Sequence, residues 1–273
     1  MKKKCPKGIL KLDRECKKSM FTVRTTPIVK ILLVASIGLY LLQMVSDSFF
    51  GTHIFEWLGL VPYRVFNHFA FWQIFTYQFM HADLFHILFN MLVLWMIGSE
   101  LEGIWGSKFF TQYYFLCSTF GGVLYLFTQI IMKDPLASMV PVVGASGGIY
   151  GLLVAYGILF SERVMLFMMI FPMKAKHFVL ILAAVELFST VFGARGGVAN
   201  IAHLGGMIAG FGFLAIRTQW RLRSKNKNSS SSARKKRLKK SHLKLVINND
   251  LLKDFDTNDD HDGNDDSGQP ISH

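Results

Sequence analysis

Two polar side chains able to act as a nucleophile and its base stand inside runs that are otherwise apolar. One is Ser146 in Gly144-Ala145-Ser146-Gly147, at the head of a strongly apolar segment. The other is His203 in Ala199-Asn200-Ile201-Ala202-His203-Leu204-Gly205, inside another. A charged residue at the centre of a spanning helix costs about 2.5–3.5 kcal/mol on insertion scales, so reactive polar groups seldom sit there without a role. A serine hydroxyl becomes nucleophilic when a neutral imidazole takes its proton. The two segments together point to hydrolysis inside a bilayer. His86 and Asn90, four residues apart and so on one helix face, point the same way. An imidazole beside a side-chain amide is a donor pair suited to a developing oxyanion.

Either of the first two motifs alone reads as ordinary helix packing. Glycines at small-xxx-small spacing are common in membrane helices, and serine hydroxyls bond readily to their own helix. The pattern around them is more specific. Ser146 and Tyr150 share a face, as do Gly147 and Gly151; His203, Gly206 and Gly210 fall at i, i+3 and i+7. Glycines there let two helices approach until His203 reaches Ser146, with Tyr150 stacked on the imidazole. His81 lies five residues before His86, about 140° round a helix, so the two do not form an i, i+4 chelate. Cys5, Cys16 and Cys117 include no CxxC pair, and no shared disulfide is expected of them. Neither a metal nor a cofactor is expected.

These groups need spanning elements to hold them. The chain has 273 residues, 51% of them hydrophobic, and a net charge of +12. In a soluble protein that charge would suggest nucleic acid. Here Lys and Arg flank apolar spans, which favours cytoplasmic retention and anionic lipid headgroups instead. Ile28 to Ile216 carries few charges, and six spans are expected: about 28–45, 84–98, 109–132, 142–160, 175–192 and 201–217. The aromatic-rich segment Ser46–Asp83 is expected to lie in the interface as an amphipathic loop, with a small soluble subdomain as the alternative. Val164–Phe171 is short, apolar and ends at Pro172, and reads as an interfacial connection. The fold class is therefore an all-α polytopic membrane protein.

Residues 1–26 form a basic leader, too long and charged for a signal-peptide n-region; no A-x-A site follows the first span, which reads as an uncleaved signal anchor. The leader holds nine Lys and Arg, against Arg64, Lys133 and Arg195 in the loops expected outside, so both termini are expected in the cytoplasm. Ser146 then starts an outside-to-inside helix, about 5–10 Å below the outer surface, with His203 near the outer end of span six. The core is expected over 27–220, followed over 221–273 by a disordered tail, basic then acidic. The compact core without a targeting peptide suggests a bacterial cytoplasmic membrane.

The ordered set of motifs resembles the rhomboid intramembrane serine proteases. It comprises His81-x4-His86-x3-Asn90, Gly144-Ala145-Ser146-Gly147 with Tyr150, and Ala202-His203-x-x-Gly206; Leu101-Glu102 and Trp105-Gly106, placed in a cytoplasmic loop, are similar to the family as well. The resemblance implies a six-helix bundle with an interfacial loop after helix 1. It implies Ser146 as nucleophile, His203 as its base, and His86 and Asn90 with the Ser146 N–H as the oxyanion hole. His81 would tie down the loop after span one. Members often show Trp-Arg where Trp72-Gln73 stands here, which puts that loop's anchoring in question. Glu186 lies in span five, but no motif links it to His203, so a two-residue dyad oriented by Tyr150 is expected. The implied partners are single-span membrane proteins as substrates and the lipid bilayer; nothing in the spacing specifies an oligomeric state. The alternative function is a non-catalytic rhomboid-like protein that binds membrane clients. Such relatives usually lack the serine or the histidine.

Overall fold

The computed structural model of the chain describes residues 24–50, 54–133, 135–167, 171–192 and 199–224. The expected leader over 1–23 and the tail beyond 224 lie outside the described residues. The chain divides into two units, Met1–Ile216 and Arg217–His273; the functional residues fall in the first, and 217–224 of the second are helical.

Helix α1 (Pro27–Phe50) opens on a proline, whose missing N–H is no loss at the first helical position. Short helices α2 (Ile54–Leu58), α3 (Pro62–Asn67) and α4 (Gln73–Thr76) and a tight turn at Tyr77–Phe79 follow. The next run is α5 (Leu84–Val93), a π-helical turn over Leu94–Gly98, and α6 (Ser99–Trp105). Then come α7 (Ser107–Met132), α8 (Pro135–Met139) and α9 (Ser146–Leu159). Strands β1 (Val164–Phe167) and β2 (Phe171–Lys174) precede α10 (Ala175–Phe192) and α11 (Ala199–Ser224). Five of these helical runs are long and apolar enough to cross a membrane, and α9 is a shorter apolar helix.

Four differences from the sequence expectation have local causes. Leu101, Glu102 and Trp105 lie on α6 rather than in a loop, so the second span runs from Leu84 to Trp105. Glu102 is buried because it caps α1: it accepts hydrogen bonds from the N–H groups of Ile28 (3.1 Å) and Val29 (3.0 Å) and from the hydroxyls of Thr26 and Ser107. A carboxylate at a helix N-terminus satisfies orphan donors and opposes the dipole. Second, α9 begins at Ser146, not Val142. Val142 exchanges backbone hydrogen bonds with Leu60 (2.9 Å each), and Gly144 N–H donates to the Tyr77 carbonyl (3.0 Å). Irregular backbone at membrane depth survives where the protein satisfies it in this way.

Third, within the segment expected as an interfacial connection, Val164–Phe167 pairs antiparallel with Phe171–Lys174, with Val164 opposite Lys174 and Leu166 opposite Pro172. In a two-stranded sheet every strand is an edge, where proline's missing donor is tolerated. The fold is thus mostly helical, as expected for its class, with one short antiparallel strand pair. Glu162 beside it pairs with Lys174 (2.8 Å) and Lys176 (2.5 Å), which hold its carboxyl down at about 2. Fourth, the last helix runs from Ala199 to Ser224, longer at both ends than the span expected over 201–217.

Helix α9 is buried nearly all round, from Ser146 through Gly157, as a helix apolar on every face must be. It packs most extensively on α7, which turns Tyr113, Tyr114, Cys117, Ser118 and Gly121 inward. At 14 residues it is about 21 Å long, less than the roughly 30 Å hydrocarbon core. One end of α9 therefore lies within the bilayer's thickness. Helix α10 is the opposite case: of its residues only Ala175 and Glu186 are buried.

The segment after α1 is a set of short helices with an apolar outer surface, including exposed Trp57, Phe69, Phe71 and Trp72. Gln73 anchors it. Fully buried, its amide accepts from Val61 N–H (3.0 Å) and donates to the carbonyls of Glu56 (2.9 Å) and Trp57 (3.2 Å). An amide thus makes three hydrogen bonds at the position whose lack of arginine had put the loop's anchoring in question.

Candidate active site

Ser146 occupies the first turn of α9, where backbone N–H groups have no partner within the helix. The turn into it depends on Gly144. Its φ of 121° is a conformation L side chains rarely adopt, and a Cβ there would lie 2.7 Å from His86 Nε2. Glycine at 144 therefore lets His86 come up beside Ser146.

His203 arrives from α11 because the two backbones touch. A Cβ at Gly206 would stand 2.0 Å from the Gly147 carbonyl oxygen, an approach only glycine permits. On the facing side, a Cβ at Gly121 of α7 would meet the Ala202 carbonyl oxygen at 2.5 Å. Held between these helices, His203 places Nε2 2.7 Å from Ser146 Oγ. The Tyr150 ring lies flat on the imidazole, centroids 4.4 Å apart and planes 12° apart. This is the spacing that a serine nucleophile and an imidazole base require.

His86 and Asn90 come from α5. Asp83 caps that helix by accepting from His86 N–H (2.8 Å), and His86 Nδ1 faces the Ala82 N–H at 3.4 Å. Since Nδ1 accepts that bond, Nε2 of the neutral ring carries the proton and is a donor on the Gly144 side. Asn90 is buried, and its Nδ2 has no hydrogen-bond partner among the described residues. Two unspent donors near a free helix N-terminus make a site for a developing negative charge.

His81 is fully buried at the entry to α5. Its carbonyl accepts from Gln43 of α1 (3.3 Å), its Nδ1 faces the Phe79 carbonyl (3.3 Å), and its ring packs edge-on to His86 at 5.2 Å. Burial, with His86 alongside, pulls its pKa down to about 4, so the ring is neutral near pH 7.

The arrangement also contains a residue that motif reasoning did not link to it. Glu186 of α10 is buried, accepts a short hydrogen bond from the Tyr150 hydroxyl, and places Oε1 3.2 Å from His203 Nδ1. That last contact has ion-pair distance but not hydrogen-bond alignment, and Nδ1 has no hydrogen-bond partner among the described residues. The signal in the sequence was Glu186 itself, the one acid of an otherwise apolar span.

The profile of the Rhomboid domain family matches residues 68–220, more than half of the chain. The mitochondrial Rhomboid protein 1 of Saccharomyces cerevisiae is 31% identical over 134 residues, covering 48% of this chain and 38% of that protein. RHOMBOID-like protein 1 of Arabidopsis thaliana is 34% identical over 154 residues, 55% of this chain and 36% of that protein. Rhomboid protease GlpG of Yersinia pseudotuberculosis is 25% identical over 185 residues, 67% of this chain and 60% of that protein. The matches span between 36% and 60% of the length of these three curated relatives. With its apolar spans and the matched domain, the chain belongs to the rhomboid family and is an integral multi-pass membrane protein.

Proposed function

We propose that the protein is an intramembrane serine endopeptidase that cleaves transmembrane segments of other membrane proteins near the outer face. The observation that carries this reading is the 2.7 Å contact between Ser146 Oγ and His203 Nε2, on two different spans. A relative named as a rhomboid protease supports it.

In the proposed reaction, Ser146 Oγ attacks the scissile carbonyl carbon while its proton passes to His203 Nε2. The carbonyl π electrons move to oxygen, and the oxyanion is held by His86 Nε2–H, Asn90 Nδ2–H and the Ser146 N–H. The C–N bond then breaks, its electron pair leaves with nitrogen, and the imidazolium returns the proton to the departing amine. Water attacks the acyl-enzyme by the same route, giving a proton to Nε2, and Oγ recovers it as the ester C–O bond breaks. Because Ser146 starts the short α9, the reacting atoms lie below the membrane surface yet close to it.

A helical substrate shields its carbonyls, so the cleaved segment is a single span with small or helix-breaking residues near its outer end, entering between the second and fifth spans. On this reading, residues 1–26 and 221–273 flank the 27–220 core on the cytoplasmic side of a bacterial inner membrane. The test is cleavage of a single-span reporter in liposomes by wild type and Ser146→Ala. Cleavage by wild type alone is expected; equal cleavage by both, or none by wild type across varied reporters, overturns the reading.

A further inference from the structure

We propose that Glu186 is a positioning residue for this reaction, holding His203 in the tautomer that accepts the serine proton and balancing the imidazolium that forms. The inference rests on the protease reading and extends it. A carboxylate buried in a membrane-spanning helix is energetically costly, so its surroundings say what keeps it there. Those surroundings are His203 and the side chain stacked on it. Oε1 accepts from the Tyr150 hydroxyl and lies 3.2 Å from His203 Nδ1, while Oε2 has no hydrogen-bond partner among the described residues. Among the described residues, this carboxylate's side-chain partners are thus the Tyr150 hydroxyl and the Nδ1 edge of the imidazole, while Nε2 is turned to Ser146.

The chemistry follows from lone pairs. For Ser146 Oγ to lose its proton, Nε2 must be bare, and the neutral ring must then carry its proton on Nδ1. An ionised carboxylate next to Nδ1 attracts that N–H; in the reverse tautomer it would face a nitrogen lone pair. When Nε2 takes the serine proton, the ring becomes positive and the same carboxylate stabilises it without receiving a proton. Tyr150 completes the unit by holding Oε1 and stacking on the ring. Since Glu186 rides on α10, whose only buried residues are Ala175 and Glu186 itself, the orientation of the base is tied to the seating of that helix.

A structural role for Glu186, linking α10 to α9 through Tyr150, gives a different result in one experiment. Glu186→Gln keeps an oxygen for the Tyr150 hydroxyl and removes the charge; Glu186→Asp keeps the charge. In proteoliposomes, Glu186→Gln should lower kcat at least tenfold with KM within twofold, and Glu186→Asp should recover part of the loss. Neutralising the acid of a Ser-His-Asp triad lowers kcat about 10⁴-fold, which sets the upper end. The ring nitrogens of His203 are read by ¹⁵N NMR of histidine-labelled protein. Wild type should show Nδ1 protonated and Nε2 accepting, and Glu186→Gln a loss of that single tautomer. A smaller loss of kcat, an unchanged His203 spectrum in the variant, or the reverse tautomer in wild type overturns the proposal. The wild-type spectrum judges it even if a variant fails to fold. If wild type itself cleaves nothing, the protease reading falls, and the tautomer measurement still decides what Glu186 does to the ring.

Discussion

Gly206→Ala tests whether backbone contact between α9 and α11 is what brings the base to the nucleophile. The added Cβ would stand 2.0 Å from the Gly147 carbonyl oxygen and 2.8 Å from its carbon. Carbon–oxygen contacts of this kind settle at about 3.3 Å, so the helices must separate locally by about 1.3 Å. Both colliding groups are backbone, and neither can turn aside as a flexible side chain would. His203 lies three residues from Gly206 on the same face, and Ser146 adjoins Gly147, so most of the displacement reaches the pair. A 2.7 Å bond lengthened by 1 Å or more passes out of hydrogen-bond range. A misplacement near 1 Å costs on the order of 10² in rate, and overpacking a tight contact costs about 1–3 kcal/mol in stability. The assay is kcat/KM on a single-span reporter in proteoliposomes, with thermal unfolding in detergent followed in parallel. Gly212→Ala on the same helix, whose Cβ would meet nothing within 4 Å, is the control and should keep full activity. A folded Gly206→Ala protein that cleaves within twofold of wild type would refute the reasoning.

The donors near Ser146 should act on the transition state rather than on binding. Asn90→Ala and His86→Ala should each lower kcat by about 10²–10³ with little change in KM, measured on the same reporter; a change confined to KM would exclude the oxyanion role. Gln73→Leu removes three hydrogen bonds from a fully buried site and leaves the Val61 N–H and two carbonyls without their partner. A loss of about 1–3 kcal/mol is expected by denaturant titration, and an unchanged midpoint would show that the loop is held elsewhere. His81 gives a pH signature. Its pKa is about 4 in the fold against 6.5 ordinarily, so below about pH 6.5 the unfolded chain binds a proton that the fold rejects. Stability should fall from about pH 6.5 down to about pH 4, by at most on the order of 3 kcal/mol, and then level. Unfolding in detergent across this range should show the slope in wild type and a flatter profile in His81→Asn; identical slopes would reject the assignment.

Much of the helical architecture was legible because the bilayer imposes long, nearly uncharged runs that composition reveals directly. Pairs at i, i+3 and i+4 were legible for a similar local reason: helix geometry alone puts Ser146 beside Tyr150, and His203 on the face of Gly206. Boundaries were less so. The apolar run before Ser146 reads as helix until Leu60 and Tyr77, distant in the chain, take its hydrogen bonds. The strand pair likewise depends on Val164 meeting Lys174, ten residues on.

What the sequence determined by itself is the inventory: apolar spans, the polar side chains embedded in them, and the glycines beside those side chains. What only the tertiary structure decided is which of these groups touch. Glu186 next to His203, Glu102 capping α1 and Gln73 spanning the interfacial segment are contacts between residues 17, 73 and 12 positions apart or more, carried on separate elements. No periodicity encodes such distances. They follow from how closely particular helices approach, and glycines set that approach: a Cβ at Gly206, Gly121 or Gly205 would come within 2.0 to 2.8 Å of the facing backbone.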